Sequence, residues 1–312
     1  MSSTSRREFL KASVAAAVCT AGVDSGFTES VSTTAQSAVQ SSTPTAPSTS
    51  QIKKGLVYSM LPSSLSHADR FRLGRDAGFD VVQAPTTPDE SEAEEIKNAA
   101  DNANIRIDSV MNIDHWQCPL SSSDPAVVER SLAGMRTSLR NAKLWRSEAV
   151  LLVPAVVNPQ TSYRDAWTRS QKQIRKLIPL AAEAKTVIAI EEVWNKFLLS
   201  PLEMQSYIRD LQSPWIKAWF DVGNVLLYGY PQDWIRTLGK SIVKLHVKDF
   251  KRKKDGYEWV NLGDGDADWT EVRKALAEIG YFGSAIAELK PGDEPYLRDV
   301  SRRMDQLILG RA

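Results

Sequence analysis

Along most of the chain, hydrophobic positions alternate between short runs rich in β-branched residues and longer stretches with helical spacing. A short run of this kind is typical of a buried strand, and a longer stretch is typical of a helix that packs one face on a sheet. The predicted strands cover residues 55–60, 80–84, 105–111, 149–153, 187–191, 216–221, 242–247 and 284–289. The predicted helices include 68–77, 91–103, 127–144, 167–184, 201–211 and 269–279.

Residues that favour helix ends stand at several of these boundaries. Ser66 and Ser200 each precede a predicted helix and have an acidic residue three positions later, which is a capping signal. Gly78 and Gly280 each follow a predicted helix and come just before an aromatic residue. These signals support the predicted boundaries between helices and strands.

Strands that alternate with helices predict a parallel sheet of the α/β class. Eight such units in about 260 residues match the size of one (β/α)8 TIM barrel. An open, doubly wound sheet would instead require a glycine-rich phosphate-binding loop after the first strand. Residues 60–64 read Met-Leu-Pro-Ser-Ser, which lacks that loop, so we expect a closed barrel.

The first 51 residues differ from the rest of the chain. Arg6 and Arg7 precede Phe9, Leu10 and Lys11 and a short, weakly apolar stretch, a pattern that resembles a twin-arginine export signal. We therefore expect a signal peptide over residues 1–23, recognition by the Tat machinery, and a periplasmic location. Residues 24–51 are rich in Ser, Thr, Ala and Gln and predict a disordered linker. The barrel is expected over residues 52–312.

Composition excludes several classes of protein. Lys+Arg 39 against Asp+Glu 38 gives a net charge of +1, so no basic footprint for nucleic acid is expected. No apolar run reaches about 18 residues, so no stable membrane anchor is expected. Two cysteines, Cys19 and Cys118, exclude a disulfide framework. The histidines His67, His115 and His246 limit any metal site to few imidazoles.

The last four predicted strands each deliver one side chain able to bind a metal. These side chains are Glu191, Asp221, His246 and Glu288. Active sites of TIM barrels lie at the carboxyl ends of the strands, and carboxylates inside apolar strands are costly to bury unless paired or coordinated. Three carboxylates and one imidazole suit Mn²⁺, Mg²⁺ or Co²⁺, and Zn²⁺ stays open. Strand alternation does not decide between Glu191 and its neighbour Glu192.

Each of these residues also has a purely structural interpretation. Glu191 could form a salt bridge at the rim, and Asp221 could cap the turn that follows it. His246 could be a core histidine, and Glu288 could pair with Lys248. The repetition of the pattern at one end of four consecutive strands favours the metal site.

Other polar and aromatic residues follow the predicted strands. His115 and Trp116 come after the third strand, and we consider both for substrate binding. Trp194 and Trp259 could stack on the apolar face of a sugar, or fill the barrel rim. The basic run 251–254 could bind phosphate, although such a run is more often a solvated loop.

The segments 190–195, 220–224, 246–249 and 265–269, together with Ala287 and Glu288, resemble the sugar (phosphate) isomerase/epimerase family. This family belongs to the xylose-isomerase-like barrels and includes ketose 3-epimerases and hexulose-phosphate isomerases. The resemblance covers about residues 53–310. It implies one divalent metal, often Mn²⁺, held by Glu191, Asp221, His246 and Glu288, and it favours Glu191 over Glu192.

Two positions depart from the family pattern. The family often has a histidine three residues after the metal-binding aspartate, where this chain has Asn224. An arginine that contacts substrate in ketose epimerases corresponds to Arg252, with Lys251 as an equal candidate. Lys248, within the segment 246–249, is a further candidate for substrate binding.

Together these features predict a metal-dependent sugar isomerase or epimerase that works through a metal-stabilised enediolate. Glu191 and Glu288 are the predicted acid/base pair, while Asp221 and His246 mainly hold the metal. The alternatives are a 3-keto-glycoside lyase or hydrolase with the same metal site, and a sugar-binding protein without turnover. Because sugar phosphates are mostly cytoplasmic, the expected export favours a free or oxidised saccharide. The sequence leaves a homo-oligomer open.

Overall fold

The structure is a computed structural model, and it describes residues 52–311. The barrel strands are β1 (Lys53–Val57), β2 (Val81–Pro85), β3 (Arg106–Met111), β4 (Ala149–Leu152), β5 (Val187–Glu191), β6 (Ile216–Asp221), β7 (Ile242–Val247) and β10 (Ser284–Ala287). A hairpin of β8 (Asp249–Lys253) and β9 (Gly256–Val260) is inserted after β7. All eight barrel strands are parallel and close in the order β1-β10-β7-β6-β5-β4-β3-β2. The predicted (β/α)8 TIM barrel is confirmed.

The helices surround the barrel. They are α1 (His67–Asp76), α2 (Glu90–Ala103), α3 (Pro125–Trp145), α4 (Tyr163–Ala184), α5 (Pro201–Asp210), α6 (Val222–Val225), α7 (Pro231–Leu238), α8 (Trp269–Glu278) and α9 (Glu294–Met304). Apolar side chains between the strands and this outer layer form the buried core, which includes Phe71, Ile174, Tyr207, Trp234 and Leu276. No helix within 52–311 combines the length and the apolar character that crossing a bilayer requires.

The predicted helix boundaries are largely confirmed. The Ser66 hydroxyl accepts a hydrogen bond from the backbone N–H of Asp69 at 3.1 Å, which caps α1. Ser200 caps α5 in the same way. Gly78 and Gly280 have φ values of +96° and +66°, which a residue with a Cβ rarely adopts.

Two strand ends differ from the prediction by more than one residue. The first strand ends at Val57, and residues 58–60 form a 3₁₀ turn instead of its last residues. The last barrel strand ends at Ala287, so Glu288 lies just beyond it, where its backbone N–H still donates to the Val247 carbonyl oxygen at 3.2 Å. The apolar pattern does not distinguish a strand from the short turn that continues it.

The basic run 251–254, predicted as a loop, belongs to the hairpin. Residues 251–253 lie on β8 and pair with Gly256, Tyr257 and Glu258 on β9. The hairpin is fastened by Asp249, whose carboxylate accepts hydrogen bonds from the backbone N–H groups of Gly263 and Ala267 and from the Trp269 indole at 2.9 Å. The sequence has few buried positions here, so the periodicity that identifies barrel strands is absent.

Charged side chains are buried at the amino-terminal end of the barrel. The Lys244 Nζ lies 2.7 Å from Asp108 Oδ2 and 2.7 Å from Glu148 Oε2. Ser284 donates to the same Asp108 oxygen, and Lys244 and Asp108 are almost fully buried. We call Lys244, Asp108, Glu148 and Ser284 the lower network. Its charges are paired with one another.

Candidate metal centre

At the carboxyl end of the barrel, the four predicted ligands lie together. Glu191 ends β5, Asp221 ends β6, His246 is on β7, and Glu288 follows β10. Each offers one ligand atom, and these four atoms lie within 4.8 Å of one another. We call these four residues the metal group. Three of them are buried and Glu288 is partly exposed, so the group opens to solvent on its Glu288 side.

Local structure fixes the position of Asp221. Its Oδ1 accepts hydrogen bonds from the backbone N–H groups of Gly223 at 2.8 Å and Asn224 at 3.0 Å, and so caps the short helix α6. The capping role that the sequence left open is therefore real, but it uses only Oδ1. Asp221 Oδ2 faces the metal group, 3.8 Å from His246 Nδ1. Gly223 is required because a Cβ there would overlap the side chain and backbone of Lys248.

Lys248 brings a positive charge into the metal group. Its Nζ lies 2.8 Å from Asp221 Oδ2 and 2.6 Å from Glu288 Oε2, so the predicted Lys248–Glu288 pair is present. Burial lowers the pKa of Lys248, but Asp221 and Glu288 outweigh it and raise that pKa above its ordinary value. Oxygens of Asp221 and Glu288 thus already contact a cation in the structure, the side-chain ammonium group of Lys248.

The carboxyl groups in the metal group have strongly shifted pKa values. Burial, opposed by His246, raises the pKa of Glu191 to about 7. Burial also raises the pKa of Asp221. Burial acts in the same direction on Glu288, but His246 and Lys248 lower its pKa to about 2. Glu191 and Glu288, which both belong to the metal group, therefore differ widely in how readily they hold a proton.

His246 is oriented from both sides of its ring. Its Nε2–H donates to Gln83 Oε1 on β2 at 2.7 Å, because an amide oxygen can only accept. Its Nδ1 lies 2.7 Å from Glu191 Oε1 and 3.6 Å from Glu288 Oε2. Gln83 therefore fixes the ring so that Nδ1 is the atom directed at the carboxylates. Sequence reasoning missed Gln83, although a glutamine within the apolar run 81–84 was a readable signal.

Glu192 is fully buried but faces away from the metal group. Its Oε1 accepts a hydrogen bond from the backbone N–H of Asp221 at 2.8 Å. Burial together with the charges of Asp221 and Glu191 raises its pKa well above the ordinary value. The side chain of Asn224 donates to the Glu192 carbonyl oxygen at 2.9 Å. Glu192 and Asn224 thus brace the segment that carries Glu191 and Asp221.

The other candidates lie around the mouth of the barrel at different depths. His115 is buried, its Nδ1 has no hydrogen-bond partner among the described residues, and burial lowers its pKa to about 4 even though Glu288 raises it. Trp116 is 55% exposed and meets the His115 ring edge-on at 5.5 Å. Trp194 stacks on Trp259 at a centroid distance of 5.2 Å, and its Nε1 donates to the Asn224 carbonyl oxygen.

The structure does not place Arg252 at the metal group. Its guanidinium donates to the Leu226 carbonyl oxygen, and Lys253 on the same strand pairs with Glu258. Lys251 is exposed on β8. The basic run therefore lies on the exposed surface of the hairpin.

The donor set fits a divalent cation. Three carboxylates and one imidazole nitrogen converge, and two of the carboxylates already contact the side-chain ammonium group of Lys248. Such an oxygen-rich set with one nitrogen suits Mn²⁺, Mg²⁺ or Co²⁺ more than the sulfur- or nitrogen-rich sets typical of structural zinc. A cavity of about 910 Å³ lies at the amino-terminal end of the barrel, beside Lys244 and Phe282, and is remote from the metal group.

Comparisons with known proteins agree with this description. The family described as xylose isomerase-like TIM barrel matches residues 71–306. L-ribulose-5-phosphate 3-epimerase UlaE of Salmonella paratyphi A is 25% identical over 252 residues, which are 77% of this chain and 87% of that protein. A solved L-ribulose 3-epimerase has a TM-score of 0.71 at 18% identity and covers 83% of this chain and 95% of its own. For 3-keto-D-glucoside 4-epimerase YcjR from E. coli, the TM-score is 0.69 at 14% identity, with coverage of 82% and 98%.

The structural likenesses show a shared fold, and the sequence relatives are epimerases, a kind of isomerase. The predicted family resemblance and the prediction of an enzyme are confirmed at this level. With its closed barrel and a family match over residues 71–306, the chain belongs to the xylose isomerase-like TIM barrel family.

Proposed function

We propose that the protein is a divalent-metal-dependent sugar epimerase or isomerase that moves a proton at the carbon next to a ketone. One observation carries this proposal: the four ligand atoms of the metal group lie within 4.8 Å of one another at the carboxyl end of the barrel. The names of the epimerase relatives support it.

Glu191 and Glu288 are the proposed acid and base. They reach the metal group from β5 and from the end of β10, which are separated in the barrel by β6 and β7. Epimerisation removes a proton from one face of a carbon and returns one to the other face, so it needs two such groups. Glu288 is the partly exposed member of the metal group, so we assign it the role of the base, with Glu191 on the other side as its acid partner.

The remaining residues have supporting roles. When bound, a divalent ion would supply Lewis-acid polarisation of the ketone and stabilise the enediolate oxygen. Asp221 and His246 would hold it, with Gln83 keeping His246 in orientation. We propose Mn²⁺ as the first choice, with Mg²⁺, Co²⁺ and Zn²⁺ as alternatives.

Solvent exchange tests the chemistry directly. The purified protein, supplied with Mn²⁺, is incubated in D₂O with D-psicose or L-ribulose, and deuterium at the carbon next to the ketone is measured by mass spectrometry. Glu288→Gln should lower the exchange rate by about 10²- to 10⁴-fold, because the amide cannot accept the proton. Glu294→Gln, an exposed glutamate at the start of α9, is the matched control and should exchange at the wild-type rate.

Bound metal is measured for both variants by elemental analysis. Exchange at the wild-type rate in Glu288→Gln would refute the proposed base. Loss of exchange in a variant that kept its metal would support Glu288 as the base, whereas loss of both exchange and metal would assign Glu288 to metal binding alone.

We further propose that the protein is exported through its twin-arginine segment and acts on an unphosphorylated saccharide. The export signal and the linker lie outside the described residues, so the support is the sequence Arg6-Arg7 followed by Phe9-Leu10-Lys11. Fractionation of cells that express the full chain, beside a variant with both arginines changed to lysine, tests the location.

A further inference from the structure

Exposed apolar side chains gather on one side of the carboxyl end of the barrel. They are Leu199, Leu202, Leu227, Tyr228, Tyr230 and Tyr257, and we call these six residues the mouth patch. All six come after the ends of β5, β6 or β7, which are adjacent strands in the barrel. At the amino-terminal end, the exposed large apolar side chain among the described residues is Phe282. Exposed apolar surface is therefore concentrated at one end of the molecule.

The hairpin is joined to the loop after β6, which makes their exposed residues one surface. The Arg252 guanidinium donates to the Leu226 carbonyl oxygen, next to Leu227 of the mouth patch. The ring of Trp194, in the loop after β5, lies 4.7 Å from the ring of Tyr257. Tyr257 and Leu227 thus belong to segments that contact each other.

The other side of the mouth patch is formed by the starts of two neighbouring helices. The Gln205 side chain on α5 donates to the Thr237 carbonyl oxygen on α7 at 2.7 Å, so these helices lie side by side. Leu202 is in the first turn of α5, and Tyr230 immediately precedes α7. Both helices begin at the carboxyl end of the barrel, so Leu202 and Tyr230 continue the surface that the hairpin begins.

The mouth patch is large for a surface that only water covers. Tyr228, Tyr230 and Tyr257 are 36%, 73% and 46% exposed, which amounts to about 300 Å² if an aromatic side chain offers about 200 Å². The three leucines add to this area. Contiguous apolar patches of more than a few hundred Å² mark interaction surfaces, and a standard protein interface buries about 800 Å² per partner. The mouth patch therefore has the size of an interface core.

Charges of opposite sign lie at opposite margins of the mouth patch. The hairpin margin carries four basic and two acidic side chains within residues 251–258. Of these, Lys251 and Lys254 are exposed and form no salt bridge among the described residues. The α7 margin carries Asp233, which is also exposed and lacks a cationic partner within the part of the chain that the structure describes. One margin thus offers a free cation and the other a free anion.

We propose that a second copy of this chain covers the mouth patch and forms a two-fold symmetric dimer. A two-fold axis brings the same patch of both copies together and places each margin against the opposite margin of the partner. The basic hairpin of each copy then faces Asp233 of the partner subunit, so the charges are complementary. An anionic membrane would match the hairpin margin but repel the α7 margin.

Dimerisation through this surface leaves the way to the metal group open. The cavity that borders Glu288, about 870 Å³ in volume, lies on the other side of the hairpin and is lined by none of the six mouth-patch residues. Each copy therefore keeps its own access to the metal group. The inference goes beyond the proposed function and does not depend on it.

Tyr230 and Phe282 provide a matched test, because they are 73% and 75% exposed at opposite ends of the barrel. Tyr230→Asp places a charge in the mouth patch. It should not unfold the protein, because Tyr230 is the N-cap residue of α7 without a side-chain capping bond and aspartate is a preferred N-cap. Phe282→Asp is the control. Sedimentation velocity of the purified full chain over a range of concentrations measures the dimer dissociation constant.

Wild type and Phe282→Asp should be dimers, and Tyr230→Asp should raise the dissociation constant at least about tenfold. Circular dichroism should give the same spectrum for all three proteins. A wild type that stays monomeric, or equal effects of the two substitutions, would overturn the proposal. A monomer that sediments with vesicles of anionic phospholipid, but not with neutral vesicles, would assign the patch to a membrane and would also overturn it.

Charge reversal tests the two-fold arrangement. Lys254→Glu and Asp233→Lys should each raise the dissociation constant about two- to fivefold at low salt, because each brings like charges together at the margins. The double variant exchanges the two signs and should return to within about twofold of wild type. A double variant that dimerises no better than either single variant would overturn the proposal.

Discussion

The two ends of this barrel bury charge in opposite ways. In the lower network, Lys244 is bonded to both Asp108 and Glu148, and burial is outweighed by Lys244, so that the pKa of Glu148 falls to about 2. In the metal group, burial raises the pKa values of Glu191 and Asp221. The lower end has satisfied its charges internally, whereas the upper end holds more acid than its cations neutralise. This difference separates a structural ion network from a binding site.

The largest expected effect comes from breaking the lower network. Lys244→Met leaves Asp108 buried without its cation, so the free energy of unfolding should fall by about 3–5 kcal/mol, measured by urea denaturation. Lys240→Met removes an exposed lysine at the same end and should change stability by less than about 0.5 kcal/mol. Equal changes in the free energy of unfolding for the two substitutions would show that the lower network does not stabilise the amino-terminal end of the barrel.

Metal should stabilise the upper end by a smaller amount. At a free metal concentration of about 100 times Kd, the free energy of unfolding should rise by about 2.7 kcal/mol, and a chelator should reverse the gain. Elemental analysis should find about one ion per chain in wild type and none in His246→Ala, because one of four ligands is lost. His67→Ala, outside the metal group, should keep its ion. A gain that survives in His246→Ala would place the metal elsewhere.

A weaker effect is expected from pH, and the two ends should respond in opposite directions. Glu191 has a raised pKa, so in chelator-treated protein its contribution to stability is complete below pH 4.5 and is lost as pH rises to about 7. Glu148 has a lowered pKa, so its contribution is present above pH 4.5 and is lost as pH falls towards 2. Denaturation at several pH values should show that the free energy of unfolding depends less on pH above 4.5 in Glu191→Gln. In Glu148→Gln it should depend less on pH below 4.5.

The smallest effect is expected at Glu192. Burial raises the pKa of its carboxyl group well above the ordinary value and so disfavours the charged form, and Glu192→Gln retains an oxygen to accept from the Asp221 N–H. We expect a change in unfolding free energy under about 1 kcal/mol and wild-type metal binding. Glu191→Gln should weaken metal binding by more than about tenfold. A comparable loss in both variants would contradict the separation of the two neighbours.

Much of the barrel and its metal group can be predicted from sequence because both depend on a repeated pattern. Apolar runs locate the barrel strands, and a polar side chain at the end of such a run identifies Glu191, Asp221 and His246. Strand alternation left the choice between Glu191 and Glu192 open and only the family resemblance favoured Glu191, because both side chains are buried and only their directions differ.

Other features depend on contacts that a periodicity cannot encode. The hairpin escaped prediction because β8 and β9 are largely exposed and the segment is fastened by the single carboxylate of Asp249. Gln83 acquires its importance from His246, which lies 163 positions away in the sequence. Arg252 stays a predicted substrate-binding residue, and its spacing from His246 says nothing of the Leu226 carbonyl oxygen that accepts a hydrogen bond from its guanidinium.

The ammonium of Lys248 gives the acidic cluster a counterion that belongs to the chain itself. Because Nζ contacts both Asp221 and Glu288, a divalent ion that binds the metal group would displace this ammonium group from the two carboxylates. Small zinc domains stay unfolded until the metal is bound. Here the carboxylates already have a counterion from the same chain, so we expect the barrel to fold without a divalent ion.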